Sequence, residues 1–114
     1  PLENTVLLAE QCVAAGAVGV VVGQPRLGAA VQTDRTTGAP LIITGALYGP
    51  AFFAAMLRVL RETASAQLGC ALIACGGIHT PEHLQQALAA GAHVVQMDTV
   101  LWSEPGAVKW GAGE

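Results

Sequence analysis

The residues of this chain best suited to chemistry are two glycines, Gly76 and Gly77. They close the apolar run Cys70-Ala71-Leu72-Ile73-Ala74-Cys75 and lead through Ile78-His79 into Thr80-Pro81-Glu82. Glycine reaches positive φ and has no Cβ, so its N–H can approach a ligand closely. Thr80 suits a helix N-cap, Pro81 the first helical position, and Glu82 the positive end of the helix dipole. Strand, glycine pair and helix start thus aim backbone donors at one point, and phosphate is the usual guest there. A glycine pair alone makes only a tight turn. Companion glycine turns strengthen the phosphate reading, notably Thr44-Gly45-Ala46-Leu47-Tyr48-Gly49-Pro50.

Other candidates carry less. His79 and His83 lie four apart but straddle a helix start and lack the His-Glu-x-x-His pattern. They read as exposed helix-start histidines, and no metal site is expected. His93 precedes an apolar strand and reads as a surface residue. Phe52, Phe53 and Met56 mark a core stripe rather than a flavin or quinone contact. Asp34 and Arg35 read as a surface pair worth under about 1 kcal/mol. Cys12, Cys70 and Cys75 are odd in number and sit in apolar segments, which fits reduced thiols in the cytoplasm better than a disulfide framework. Cys70 and Cys75, five apart, would face opposite sides of one strand. No side chain qualifies as a general base, so no catalytic residue is assigned.

The elements that must position these residues follow from periodicity. Asn4 or Thr5 can cap a helix running to about Ala15, with Gly16 closing it. Val18-Gly19-Val20-Val21-Val22-Gly23 is a buried strand rich in β-branched residues. Residues 24–40 show neither period and read as a long loop, with Leu41-Ile42-Ile43 a brief strand or buried arm. Pro50 opens a helix whose stripe is Phe53, Met56, Leu57 and Leu60. The Cys70–Cys75 strand follows. The next helix, Pro81 to about Ala90, buries Leu84, Ala87 and Leu88, and Val94-Val95-Gln96-Met97 is the last strand. A weak helical segment spans Pro105 to Trp110. Apolar runs without polar alternation suit strands covered on both faces. Strands alternating with helices imply an α/β fold of parallel βαβ units. Three such strands do not close a barrel; they fit either the last βα units of a partial TIM (β/α)8 barrel, whose phosphate site follows strands seven and eight, or a small open sheet.

Composition bounds the setting. The chain has 114 residues, enough for a single domain. It is 53% hydrophobic and only 11% charged, against about 25% charged in typical soluble domains. Part of its surface is therefore expected to be buried, by self-association or by packing on a missing barrel half. Net charge is −3 with no basic cluster, which argues against nucleic acid and anionic membranes. No apolar run approaches the roughly 18 residues of a membrane-spanning segment.

With these elements placed, the motifs resemble those of the dihydroorotate dehydrogenases. Gly45-Ala46-Leu47-Tyr48-Gly49-Pro50-Ala51 is similar to that family's Gly-Gly-Leu-Ser-Gly turn. Cys75-Gly76-Gly77-Ile78 resembles its Val-Gly-Gly-Ile turn, and Ala90-Gly91-Ala92 with Val94 to Thr99 resembles the segment that closes its barrel. Val20-Val21-Val22-Gly23 sits where the family has the strand before its Thr-Asn-Thr loop. The resemblance covers nearly this whole chain and only the C-terminal part of the family's barrel. It implies an FMN-dependent (β/α)8 barrel whose full-length members oxidise dihydroorotate, a dihydropyrimidine, to orotate in pyrimidine biosynthesis. It implies that Ala46, Tyr48, Gly49, Gly76, Gly77, Asp98 and Thr99 surround the flavin phosphate. Gln24 stands where the family's pyrimidine-contacting Asn does, its amide displaced by one C–C bond, roughly 1.5 Å. Asp98 and Tyr48 also depart from the family's residues. The segment alone is expected to be inactive, because the resemblance places the catalytic base elsewhere in the barrel. Two alternatives stay open: a non-flavin phosphate-binding barrel, and a non-catalytic self-associating α/β module.

Overall fold

The computed structural model describes residues 2–23, 26–47 and 49–111. In chain order the elements are α1 (Leu2–Ala14), β1 (Gly19–Val22), β2 (Arg26–Thr33), β3 (Pro40–Leu47), α2 (Phe53–Ser65), β4 (Ala71–Cys75), α3 (Pro81–Ala89), β5 (Val94–Gln96) and α4 (Val100–Ser103). Short 3-10 turns span Pro50–Phe52 and Pro105–Gly111.

β1, β4 and β5 form a parallel sheet in the order β1-β4-β5. The expected α/β architecture of parallel barrel strands is present, and no barrel closes within this piece. Alternation along each strand gives the sheet two faces. Val22, Leu72 and Ala74 are buried, and Val20, Val95 and Met97 pack with them against Phe53, Met56 and Leu60 of α2 and Leu84 and Ala87 of α3. Val21, Ile73 and Val94 share the opposite face through the register Val21↔Ile73↔Val94. That face is largely bare: Val21 is 44% and Val94 55% exposed.

α2 is helical for the reason its sequence states. Phe53, Met56, Leu60 and Thr63 fall on one face and are all buried. The Thr63 hydroxyl is satisfied by donating to the Val59 carbonyl at 2.8 Å. Pro50 starts the preceding turn, as expected. α1 ends in a Schellman-type closure, with Ala17 N–H donating to Cys12 O at 3.0 Å across Gly16 at φ +108°. Leu7 and Leu8 on this helix are exposed, alongside Glu10 and Gln11.

Several expectations are corrected. The long loop over 24–40 is instead largely the first arm of an antiparallel hairpin, β2 with β3, in register from Arg26↔Leu47 to Thr33↔Pro40. Small residues hid it: Gly28, Ala29 and Ala30 give β2 no alternation, while Pro40 and Gly45 depress strand propensity in β3. Pro40 is tolerated because it is the first residue of its strand. Leu41, Ile42 and Ile43 are exposed strand residues, not a buried arm. At the hairpin tip the Asp34 carboxylate accepts from the N–H groups of Thr36 and Thr37, at 2.8 and 3.4 Å, rather than pairing with Arg35. Leu88 is 39% exposed, off the buried face of α3. Met97 lies just beyond β5. The tail is a 3-10 segment in which Trp110 packs on the core, while Trp102 stands in solvent.

Candidate functional site

The exits of the three parallel strands open onto a cleft of about 590 Å³. Gly23 lines it after β1, Gly76 and Gly77 after β4, and Met97, Asp98 and Thr99 after β5. Gly49 and Phe52 join them from the turn before α2. Five predicted residues thus meet at one site: Gly49, Gly76, Gly77, Asp98 and Thr99. Ala46 does not join them. It is an exposed residue of β3, paired in register with Leu27, because the expected turn begins only after Leu47. Tyr48 and Gln24 lie outside the described residues.

Among the described residues, the N–H groups of Gly76, Gly77, Asp98 and Thr99 find no acceptor. Asp98 is exposed and the other three are half-buried, so water or a ligand entering the cleft can satisfy them. The glycines have a packing reason as well. Gly77 has φ +72°, and a Cβ there would meet the backbone nitrogen of Phe53 and, at 2.6 Å, its Cα. Gly23, at φ +87°, leaves no room for a Cβ beside the Cys75 carbonyl oxygen and Met56 Cγ. Only glycine lets the first turn of α2 close down on these two strand exits.

The histidines are not the exposed pair expected from sequence; both are half-buried. His83 stacks on Phe53 with ring centroids 4.1 Å apart, and its Nδ1 accepts from the His79 N–H at 3.1 Å. The His83 N–H in turn donates to the Thr80 hydroxyl at 3.0 Å, which makes Thr80 the N-cap of α3 as predicted. His79 lines the cleft, with Nε2 3.2 Å from Thr99 Oγ1. His93 is exposed, and its Nδ1 accepts from the Leu72 N–H at 3.0 Å.

Burial, and secondarily the Asp98 charge, push the Cys75 thiol above its ordinary value. The group is therefore a protonated thiol near neutrality rather than a nucleophile. Among the described residues no three side chains converge as metal ligands, and no helix is long and apolar enough to cross a membrane. Sequence reasoning missed Gly23 and His79 as cleft residues. The signal for Gly23 was present, since both β1 and β4 run straight into a glycine.

No protein-family model matches the chain. Curated relatives do. The dihydroorotate dehydrogenase B (NAD(+)) catalytic subunit of Citrifermentans bemidjiense is 31% identical over 108 residues, covering 95% of this chain and 35% of the relative. The catalytic subunit of the same name from Bacillus mycoides is 33% identical over 106 residues, covering 91% of this chain and 33% of the relative. This chain is a segment of a dihydroorotate dehydrogenase-like protein. It spans about a third of the length of the dihydroorotate dehydrogenases it matches. A crystal structure of the dihydroorotate dehydrogenase of Eimeria tenella in complex with ferulenol superposes with a TM-score of 0.64 at 18% identity, over 90% of this chain and 26% of that one. That likeness establishes the fold, with the three parallel strands matching part of a dihydroorotate dehydrogenase barrel.

Proposed function

We propose that residues 1–114 form the FMN-phosphate-binding segment of a dihydroorotate dehydrogenase-like oxidoreductase. One observation carries this reading: the Gly76, Gly77, Asp98 and Thr99 amides line a single cleft and lack partners among the described residues. Amides bind a dianion without cationic side chains, and among the described residues no Lys or Arg lines this cleft. The Asp98 carboxylate is close enough to the Cys75 thiol for its charge to be felt there. Asp98 would serve the anion through its main-chain N–H. Gly49 and the Thr99 hydroxyl complete the cradle.

When bound, FMN would take up reducing equivalents from a dihydropyrimidine in the complete protein, as part of pyrimidine biosynthesis in the cytoplasm. This segment's own work is to hold and orient the phosphate end. The bare face of the sheet, with Val21, Ile73 and Val94, packs against the rest of the barrel. Proton transfer falls to residues outside these 114.

The full-length protein carrying the segment tests the reading. After the flavin is stripped, FMN is expected to bind at least about tenfold tighter than riboflavin, since hydrogen bonds to a charged group contribute about 1.5–3 kcal/mol each. Amide resonances of Gly76, Gly77, Asp98 and Thr99 are expected to move on FMN addition. Equal affinity for the two flavins, or shifts confined to other residues, would refute the assignment.

A further inference from the structure

We infer that His79 is a positioning residue that turns the Thr99 hydroxyl proton towards the anion in the cleft. The inference rests on the FMN-phosphate reading above and assigns a role to a side chain outside the amide cradle.

The two ring nitrogens of His79 have unlike surroundings. Nε2 lies 3.2 Å from Thr99 Oγ1. Nδ1 is enclosed and has no hydrogen-bond partner among the described residues. A buried N–H without an acceptor is a rarer and harsher defect than an unused lone pair. The ring proton therefore belongs on Nε2, leaving Nδ1 with a bare lone pair. In that tautomer Nε2–H donates and Thr99 Oγ1 accepts.

Thr99 is free to be used this way. It occupies the N-cap position of α4, where a threonine hydroxyl ordinarily accepts from the backbone one turn on. Here φ is −64° and the side chain makes no capping bond. The His79 contact is the hydroxyl's one hydrogen bond among the described residues. With one lone pair engaged by Nε2–H, its own proton has no acceptor among those residues and is free to turn towards the cleft that both residues line. Phosphate oxygen is the acceptor that fits, and the bond would be charge-assisted.

His79 is held in place from behind. Its backbone N–H donates to His83 Nδ1, and His83 is pinned between Phe53 and the Thr80 cap. The ring therefore orients Thr99 from a fixed point.

The test uses the flavin-stripped full-length protein with FMN and riboflavin as probes. Gln and Asn are both polar and smaller than His. In His79→Gln the new amide nitrogen would fall near the position of Nε2 and keep the donor to Thr99. In His79→Asn the shorter amide ends near the position of Nδ1, and the donor is lost. Accordingly His79→Gln is expected to keep FMN affinity within about twofold, while His79→Asn and Thr99→Val each lose about fivefold to tenfold. Riboflavin affinity, lacking the phosphate contribution, is expected to stay level in all three. The double variant His79→Asn with Thr99→Val is expected to be no weaker than Thr99→Val alone, because the two residues act through one bond. Equal losses for Gln and Asn, parallel losses for riboflavin, or additive losses in the double variant would overturn the role of His79. A Thr99→Val effect that persists with no His79→Asn effect also overturns it and leaves the phosphate reading standing. Wild-type protein with no preference for FMN instead removes that reading and this inference with it.

Discussion

The sharpest consequence of the packing concerns Gly77→Ala compared with Gly76→Ala. Both glycines have positive φ, +72° and +128°, so either alanine strains the backbone. For Gly76→Ala that strain is the whole effect. Its new methyl would meet only Met56 Cβ and Cγ at 3.6 Å, an ordinary contact, so the expected loss is about 1–3 kcal/mol. For Gly77→Ala the strain comes to about 1–2 kcal/mol. The methyl must also displace the backbone of Phe53, with Cα at 2.6 Å. Backbone cannot rotate aside as a side-chain tip can, so overpacking adds about 1–3 kcal/mol. The expected loss for Gly77→Ala is therefore about 2–5 kcal/mol. Urea unfolding of the full-length protein measures both, with the midpoint falling at unchanged slope. If Gly77→Ala proves no more damaging than Gly76→Ala, α2 does not close on the β4 exit and the description of the site is wrong.

Three further outcomes follow from the same structure. Cys75 is held in its thiol form first by burial and then by the Asp98 charge, so its contribution to stability is complete below the ordinary value of 9.0 and is lost as pH rises through the raised folded value. Alkylation at about pH 8 should label exposed Cys12 well before Cys75, with Asp98→Asn speeding Cys75 a fewfold at most; mass spectrometry showing equal labelling in the wild type contradicts this. Asp34 is held below its ordinary 3.8 by the Thr36 and then the Thr37 N–H, so its contribution is present above 3.8 and lost as pH falls through the lower folded value. The Thr36 amide resonance is expected to titrate below 3.8, and a midpoint at or above that value would exclude the turn. Thr80→Ala removes the acceptor for the His83 N–H and is expected to lower stability by about 0.5–2 kcal/mol in urea unfolding, whereas a change below about 0.2 kcal/mol would mean the cap is idle.

How much of this was legible from the sequence depended on whether local chemistry and tertiary packing agreed. At β1 and β4 they agreed: β-branched or aliphatic runs ended by Gly23 and Gly76 read as strands, and the β4 exit, read as ligand-facing, lines the cleft. The cap of α3 was equally plain, because Thr80-Pro81-Glu82 states it in consecutive residues. The hairpin was hidden because its stability lies in cross-strand pairs invisible to a one-dimensional period. Leu47 lies against Gly28 across the strands, so a Cβ at Gly28 would meet Leu47 Cδ1 at 2.5 Å. Ala46 was misplaced for the same reason, since a glycine motif matched by resemblance began inside a strand, at Gly45, Ala46 and Leu47. His79 was missed because its role depends on Thr99, 20 residues away. No helical or strand spacing links those two positions; only the parallel pairing of β4 with β5 brings them together.

The double use of the glycines limits what mutagenesis alone can decide. Gly23 and Gly77 admit the first turn of α2, and Gly77 also belongs to the row of unpartnered donors. Those donors are not sealed from solvent, since Asp98 is exposed and Gly76, Gly77 and Thr99 are half-buried. In this chain they stay open over a cleft flanked by the exits of all three parallel strands. Loss of FMN binding in a glycine variant would therefore confound packing with recognition. Two ligands that differ only in a phosphate separate them, since packing treats both alike and unpartnered amides do not.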